Sequence, residues 1–310
     1  MFRQIVLTVD WYINNMYLFQ TDKIWTVLAP AKLNLFFEVH GKRSDGFHEI
    51  TSLAVPIRLF DVLRFEVLPF GRGVEFSCLG GGADVPQDSR NIVVRAIELF
   101  RNRFGIGEGI RVNLFKRIPS QAGLGGGSSD AVAALVAACK VWSKEISREE
   151  LLSIATELGS DCPLFLQDGA SIAYGRGERV ESVLRMPKLH FVLFKPAEGL
   201  STAEVYSKCM KVHDGNFHDV GEAAVSFETG EPVRISRRLF NRLEAPAAEI
   251  WTRFGEIKSR LERLDCLAVR MSGSGTAFYG LCHNAKHARH VAGRLKHGLE
   301  KNETVYNVES

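Results

Sequence analysis

Lys116-Arg117-Ile118-Pro119-Ser120-Gln121-Ala122-Gly123-Leu124-Gly125-Gly126-Gly127-Ser128-Ser129-Asp130 is the stretch on which the fold turns. Val112-Asn113-Leu114-Phe115 ahead of it reads as a short strand. Ala131 to Trp142 behind it is rich in alanine and valine on every side, as a helix sunk in a domain centre must be. Consecutive glycines let backbone N–H groups turn inward and the following helix adds its positive end, so strand, loop and helix make a nest for phosphate. A flexible surface loop would explain the glycines, but not the cap-forming Ser-Ser-Asp and the apolar helix that abut them. The stretch is not the standard P-loop, because no G-x-x-x-x-G-K-[ST] occurs. Nor is it a dinucleotide fingerprint, because Ser128 stands where G-x-G-x-x-G needs its last glycine.

Working outward, Leu33 to Val39 and Val62 to Val67 read as strands bounded by turn residues. Asn91 to Phe104 is predicted helical, with Ile92, Ala96, Leu99 and Phe100 at helical spacing and Gly105 as its stop, while Gly80 to Gly82 is a loop. Ser147 and Glu150 make a capping box, Leu151, Leu152, Ile154 and Ala155 supply a stripe, Gly159 stands at the C-cap, and Pro163 suits a first helical turn. A turn at Gly175 to Glu178 precedes Leu189 to Phe194, which opens a second domain. Ala247 to Leu264 reads as helix, Leu267 to Met271 and Thr276 to Cys282 as strands, Ala285 to Leu299 as helix, and the final residues as a frayed tail. Helices and sheets without regular alternation give an α+β class. The expected domains are 24–180 and 181–300.

Composition narrows the function. The chain has 310 residues, 45% hydrophobic and 24% charged, with a net charge of +3 and no run of about five or more like charges, which argues against a nucleic-acid partner. Six scattered cysteines without a C-x-x-C pair speak against a disulfide framework or structural zinc and fit a reducing cytoplasm. No signal peptide is read in the opening residues, and no run of about 18 apolar residues suggests a membrane span. Residues 1–15 match no motif and are expected to be dispensable; the sequence leaves the start open between Met1 and Met16.

Four weaker constellations accompany the loop. Lys32 and Asn34 lie two apart on a strand and share a face, which fits either a common pocket or a solvated strand. Gly41 to Glu49 is a charged turn with an aromatic and fits a plain hairpin equally. Asp161 in Gly159-Ser160-Asp161-Cys162-Pro163 either acts chemically or caps the helix begun by Pro163. Met271-Ser272-Gly273-Ser274-Gly275-Thr276 is a second glycine loop between strands or a tight turn. His213, His218, His283, His287 and His290 lack a ligand spacing.

In this order the motifs resemble the GHMP kinase superfamily. Pro30 to Asn34, Asp45-Gly46-Phe47-His48-Glu49, Gly123 to Ser129, Gly159 to Pro163, Ser201 to Tyr206 and Met271 to Gly275 are most similar to its members that phosphorylate a cytidylyl alcohol of the non-mevalonate isoprenoid route. The resemblance spans about residues 26 to 290. It implies a two-domain α+β GHMP kinase fold, ribosomal S5 domain 2-like and then ferredoxin-like, and a small-molecule kinase using ATP and Mg²⁺. By the same resemblance Asp161 is the catalytic aspartate and Lys32 the lysine beside it. Gly123, Gly125, Gly126, Gly127, Ser128 and Ser129 take the phosphates, with Asn91 and Lys116 on the nucleotide side and Ser129 as the Mg²⁺ ligand of the wider superfamily. Asn34, Phe47, His48, Thr202 and Tyr206 hold the alcohol substrate, Phe47 and Tyr206 stacking on cytosine. Two positions depart from the pattern: Arg242 stands where an aspartate is usual, and Phe47 where tyrosine is commoner. A kinase for homoserine, mevalonate or a sugar, or a catalytically dead ligand sensor, would share the fold. The aromatic pair and His48 argue against the first, and retention of Lys32 and Asp161 against the second.

Overall fold

The computed structural model describes residues 16–81, 85–183, 185, 187–212 and 216–310. Gly82, His213 and the expectation for residues 1–15 lie outside them. Contacts divide the chain into two compact units: the described residues up to Ala31 with Leu59–Ser120 and Gly125–Asp168, and Lys32–Arg58 with Gln121–Leu124 and Gly169–Ser310.

In the first unit β1 (Tyr17–Thr21) pairs antiparallel with the start of β2 (Ile24–Lys42). The far half of β3 (His48–Phe70) is followed by β4 (Val74–Gly80), α1 (Ile92–Phe104) and β5 (Glu108–Lys116), and β5 lies antiparallel to β3 and parallel to β4. Asn91 caps α1, its Oδ1 accepting the Val93 N–H at 2.9 Å, and Gly105 ends the helix at φ 63°, a conformation glycine takes without a Cβ penalty.

Helix α2 (Gly126–Val141) is buried continuously from Ser129 to Cys139. Alanine on all faces lets its neighbours approach closely, and each fully buried valine or leucine contributes about 1.5–3 kcal/mol. The helix begins five positions before the expected Ala131, because Gly125 at φ 68° turns the chain directly into it. Ser128, Ser129 and Asp130 therefore lie inside its first turns and do not cap it. Helix α3 (Arg148–Leu158) starts on Ser147, whose Oγ accepts the Glu150 N–H at 3.1 Å, and a 3-10 turn follows at Pro163–Leu166.

In the second unit β6 (Ser171–Gly175) and β7 (Arg179–Ser182) form a hairpin, and β6 also pairs with the near half of β3 at Ile50 to Ala54. Then come β8 (His190–Lys195), α4 (Thr202–Val212), α5 (Val220–Glu228), α6 (Pro232–Ser236), β9 (Phe240–Asn241), α7 (Glu244–Ile250), α8 (Phe254–Glu262), β10 (Ala268–Met271), β11 (Phe278–Cys282), α9 (Ala285–Lys296) and β12 (Thr304–Glu309). Strands β10-β11-β8-β12 make one antiparallel sheet. Its core includes Phe194, Phe278, Trp251, Phe254 and Leu261.

Two expectations are corrected here. The single helix expected over 247–264 is two, because Trp251 adopts an extended backbone (φ −121°, ψ 103°) and its ring packs at 5.9 Å from Phe278. The expected frayed tail is strand β12, paired with β8 from Thr304 opposite Lys195 to Glu309 opposite His190, and burying Val308. Backbone pairing and one buried valine outweigh its lack of a strong apolar pattern. The six cysteines are free thiols. Among the described residues no helix is long and apolar enough to cross a membrane, and no cluster of three or more His, Cys, Asp or Glu side chains is placed to hold a metal ion.

Candidate active site

The first unit buries charge beside the glycine loop. Asp61, at the turning point of β3, is fully buried. Its Oδ1 accepts the backbone N–H groups of Arg117 at 2.5 Å and Ile118 at 2.9 Å, and its Oδ2 accepts the Lys116 ammonium. Lys116 Nζ also donates to Asp130 Oδ2 at 2.8 Å. Two carboxylates thus share one ammonium in a dry site. Burial pushes the Asp130 carboxyl well above its usual range, the Lys116 charge opposes that, and the Asp61 charge adds to it. Burial works against the Lys116 ammonium, but Asp130 and Asp61 outweigh it and hold that group above its usual value.

A Cβ added to Gly126 would sit 3.0 Å from Lys116 Nζ, so the ammonium lies directly beneath the first turn of α2. Asp130 Oδ1 and Ser129 Oγ are buried polar atoms without a hydrogen-bond partner among the described residues. Burial pushes the thiol of Cys162, next to Asp161 in the chain, up to about 12. Asp161 itself is half-buried.

The second unit buries neutral groups around Lys32 and Asn34, which are 5% and 2% exposed. Lys32 Nζ donates to Asn34 Oδ1; Asn34 Nδ2 donates to Ser52 Oγ at 2.7 Å, and Ser52 Oγ to the Phe36 carbonyl at 3.0 Å. Tyr279 OH donates to the Asn34 carbonyl at 2.9 Å. The shared strand face expected for Lys32 and Asn34 is therefore real, and it faces inward. Gly123 joins the same cluster: its φ is 70°, and an added Cβ would overlap the Ser272 carbonyl. Ser272 Oγ donates to the Gly123 carbonyl at 2.9 Å and accepts the Asn34 N–H at 3.4 Å. A Cβ on Gly273 would stand 3.1 Å from Asn34 Oδ1 and 3.5 Å from Lys32 Nζ. Gly273 thus brings bare backbone up to the lysine, and Gly123 packs bare backbone against Ser272 of the same loop.

The remaining expected residues form a rim of the same unit. The His48 and Tyr206 rings lie 4.9 Å apart at 33°, and the imidazole is held below its usual pKa by burial and by Lys42. Phe47 is exposed in the β2–β3 turn and carries the Arg176 guanidinium 4.9 Å above its ring. Thr202 Oγ1 and Ser274 Oγ are hydrogen-bonded at 2.8 Å. Arg242, the departure noted in the sequence, donates to the fully buried Glu38 at 2.7 and 3.0 Å. Burial raises Glu38, but these bonds outweigh it and leave the carboxyl below its usual value. Sequence reasoning missed Asp61 and Asp130. The only signal for Asp61 is one acid in the apolar run Leu59-Phe60-Asp61-Val62-Leu63.

A glycine segment that opens an apolar helix with a buried lysine under its first turn has the elements with which phosphate-binding proteins hold their ligand. The chain matches the GHMP kinases N terminal domain over residues 91–175 and the GHMP kinases C terminal domain over residues 223–301. A 4-diphosphocytidyl-2-C-methyl-D-erythritol kinase of Pelotomaculum thermopropionicum is 40% identical over 87% of this chain and 93% of its own length. One of Bacillus cytotoxicus is 35% identical over 87% and 92%. A crystal structure of 4-(cytidine 5'-diphospho)-2C-methyl-D-erythritol kinase superposes with a TM-score of 0.75 at 33% identity, covering 92% of this chain and 99% of that one. The chain belongs to the 4-diphosphocytidyl-2-C-methyl-D-erythritol kinase family of the GHMP kinases. Members of that superfamily are ATP-dependent kinases of small molecules, and the α+β fold agrees.

Proposed function

We propose that this chain transfers the γ-phosphoryl group of ATP to the 2-hydroxyl of 4-diphosphocytidyl-2-C-methyl-D-erythritol, a step of non-mevalonate isoprenoid synthesis. The observation that carries the reading is the cluster in which Gly273 presents bare backbone to the buried Lys32–Asn34 pair while Gly123 packs against the neighbouring Ser272. A phosphoryl group can approach an ammonium there without a side chain intervening. Gly123 to Gly127, Ser128 and Ser129 bind the nucleotide phosphates through backbone N–H groups and hydroxyls, with Lys116 and Asn91 on the nucleotide side. Mg²⁺ entering with ATP would supply charge neutralisation, and the partnerless Ser129 hydroxyl suits it as an oxygen ligand. Asp161 accepts or orients the proton of the attacking hydroxyl, and Lys32 stabilises charge on the transferring group; positioning and neutralisation do most of the work in phosphoryl transfer.

Asn34, His48 and Thr202 hold the alcohol, and the Phe47 and Tyr206 rings stack on its cytosine. The two domains of this reading are 24–180, the nucleotide-binding one, and 181–300, the C-terminal one, and the free thiols suit a reducing cytoplasm. ADP release with the cytidylyl alcohol, homoserine and mevalonate side by side tests the reading. Turnover of the first alone is expected, and a preference for either of the others would overturn it.

A further inference from the structure

Asn241 and Glu244 hold the second glycine loop from behind, and neither belongs to the chemistry so far assigned. Strand β9 lies parallel to β2, with Phe240 opposite Phe36 and Asn241 opposite Phe37, and the Arg242 N–H donates to the Phe37 carbonyl at 2.8 Å. Asn241 is thus fixed to the strand that carries Lys32 and Asn34. Its side chain, 5% exposed, is fully used: Nδ2 donates to the Met271 and Gly273 carbonyls, each at 2.8 Å, and Oδ1 accepts the Leu243 N–H at 2.9 Å. The Leu243 bond fixes which end is oxygen, so both amide protons point at the loop. The two accepting carbonyls flank Ser272. Glu244 completes the grip, Oε1 accepting the Met271 N–H at 2.7 Å while Oε2 pairs with Lys258 at 2.6 Å.

What the loop then holds is the entrance to the phosphate nest. Ser272 Oγ donates to the Gly123 carbonyl at 2.9 Å, the Ala277 N–H donates to the Ala122 carbonyl at 3.2 Å, and the Thr276 N–H to the Gln121 carbonyl at 3.4 Å. On its other side Ser272 Oγ meets the Asn34 N–H, and the Lys32 N–H donates to the Leu124 carbonyl at 2.9 Å. Every link lies within one compact unit. The geometry points to Asn241 and Glu244 as positioning residues for phosphoryl transfer, acting through the Met271–Thr276 loop on Gly123 and Asn34. The role rests on the reading of Gly123 as part of the phosphate loop. A loop built of glycines needs such an external brace, because its own backbone is free to leave the one conformation in which a reacting group is aligned.

The experiment uses the full chain and reads two quantities, kcat/KM for ATP with the cytidylyl alcohol and the Kd of MgATP. Asn241→Asp keeps the shape but turns an acceptor toward two carbonyls; Glu244→Ala removes the oxygen that Met271 needs. Each should lower kcat/KM for ATP at least tenfold and weaken MgATP at least threefold, in protein that near-ultraviolet circular dichroism shows to be folded. Glu244→Gln retains an oxygen for Met271 and should recover most of that loss. Lys258→Met breaks only the ion pair and should stay within about twofold of wild type.

Combined with Ser272→Ala, Asn241→Asp should be strongly non-additive, since both act on one link. If Asn241→Asp fails to fold, the contrast between Glu244→Ala and Glu244→Gln decides alone. Wild-type values in folded Asn241→Asp or Glu244→Ala, or equal losses in Glu244→Gln and Glu244→Ala, would overturn the assignment. Wild-type protein that binds MgATP but does not turn over the cytidylyl alcohol would instead fault the proposed acceptor, and the nucleotide series would still test the brace.

Discussion

The two units bury different polar groups beside their glycine segments, although the second also buries a charged pair further off, Glu38 with Arg242. In the first, Lys116, Asp61 and Asp130 form a charged triad under the start of α2. In the second, the amides and hydroxyls of Asn34, Ser52, Ser272 and Tyr279 surround the Lys32 site. Charge buried in pairs costs little while the set is complete and a great deal when one member is lost; a neutral network degrades one bond at a time. The triad should therefore show itself in stability and the neutral network in turnover.

The sharpest break is expected at a carboxylate outside the triad. Asp161→Asn should keep the fold and lower kcat by ~10²–10⁴, the usual worth of a positioned base. Near-normal kcat would leave Asp161 as a structural residue like Asp61. Lys116→Met should destabilise by about 3–5 kcal/mol in urea, because it strands the fully buried Asp61 carboxyl, and a change under about 1 kcal/mol would dissolve the contrast. Lys32→Met, which leaves a neutral amide short of a donor, should destabilise by only about 1–3 kcal/mol while impairing turnover. A stability loss matching that of Lys116→Met would show the two networks to be alike.

Tyr206→Ala should weaken the cytidylyl alcohol by about 1–3 kcal/mol with MgATP affinity unmoved, and Tyr206→Phe should be mild. Loss of both affinities would argue against stacking. The smallest effect is a slope. The folded-state pKa of Asp130 is raised, so its proton stabilises the fold fully below the ordinary carboxylate value and that contribution fades as pH rises through the elevated one. Wild-type stability should decline with rising pH above about 4, by up to about 1.4 kcal/mol per pH unit, and Asp130→Asn should flatten the decline. An unchanged slope would place the proton elsewhere.

Much of this was legible in the sequence where the signal was local. The Ser147 cap, Gly105 as the stop of α1 and the strands around the second glycine loop each depend on residues a few positions apart, and the structure has them where expected to within a residue or two. Long-range pairings were not. Asp61 meets Lys116 across 55 positions, and nothing in an apolar strand announces that its one acid turns inward. The early start of α2 was hidden because helix propensity disfavours glycine, whereas the left-handed Gly125 turns Gly126 and Gly127 into the first turn. Nothing in the sequence marks Asn241, since a side-chain amide bridging two carbonyls has no periodicity to betray it.

Strand β12 sets an order of events during synthesis. Strand β8 has β11 on one side and β12 on the other, and both partners are translated long after it. Until residues 304–309 emerge from the ribosome, the nascent sheet carries an open row of N–H and C=O groups along β8, the kind of edge on which chains stick to one another. A truncation or a bulky fusion that keeps this strand from docking would therefore surface first as poor soluble yield, before any measurement of catalysis could be made.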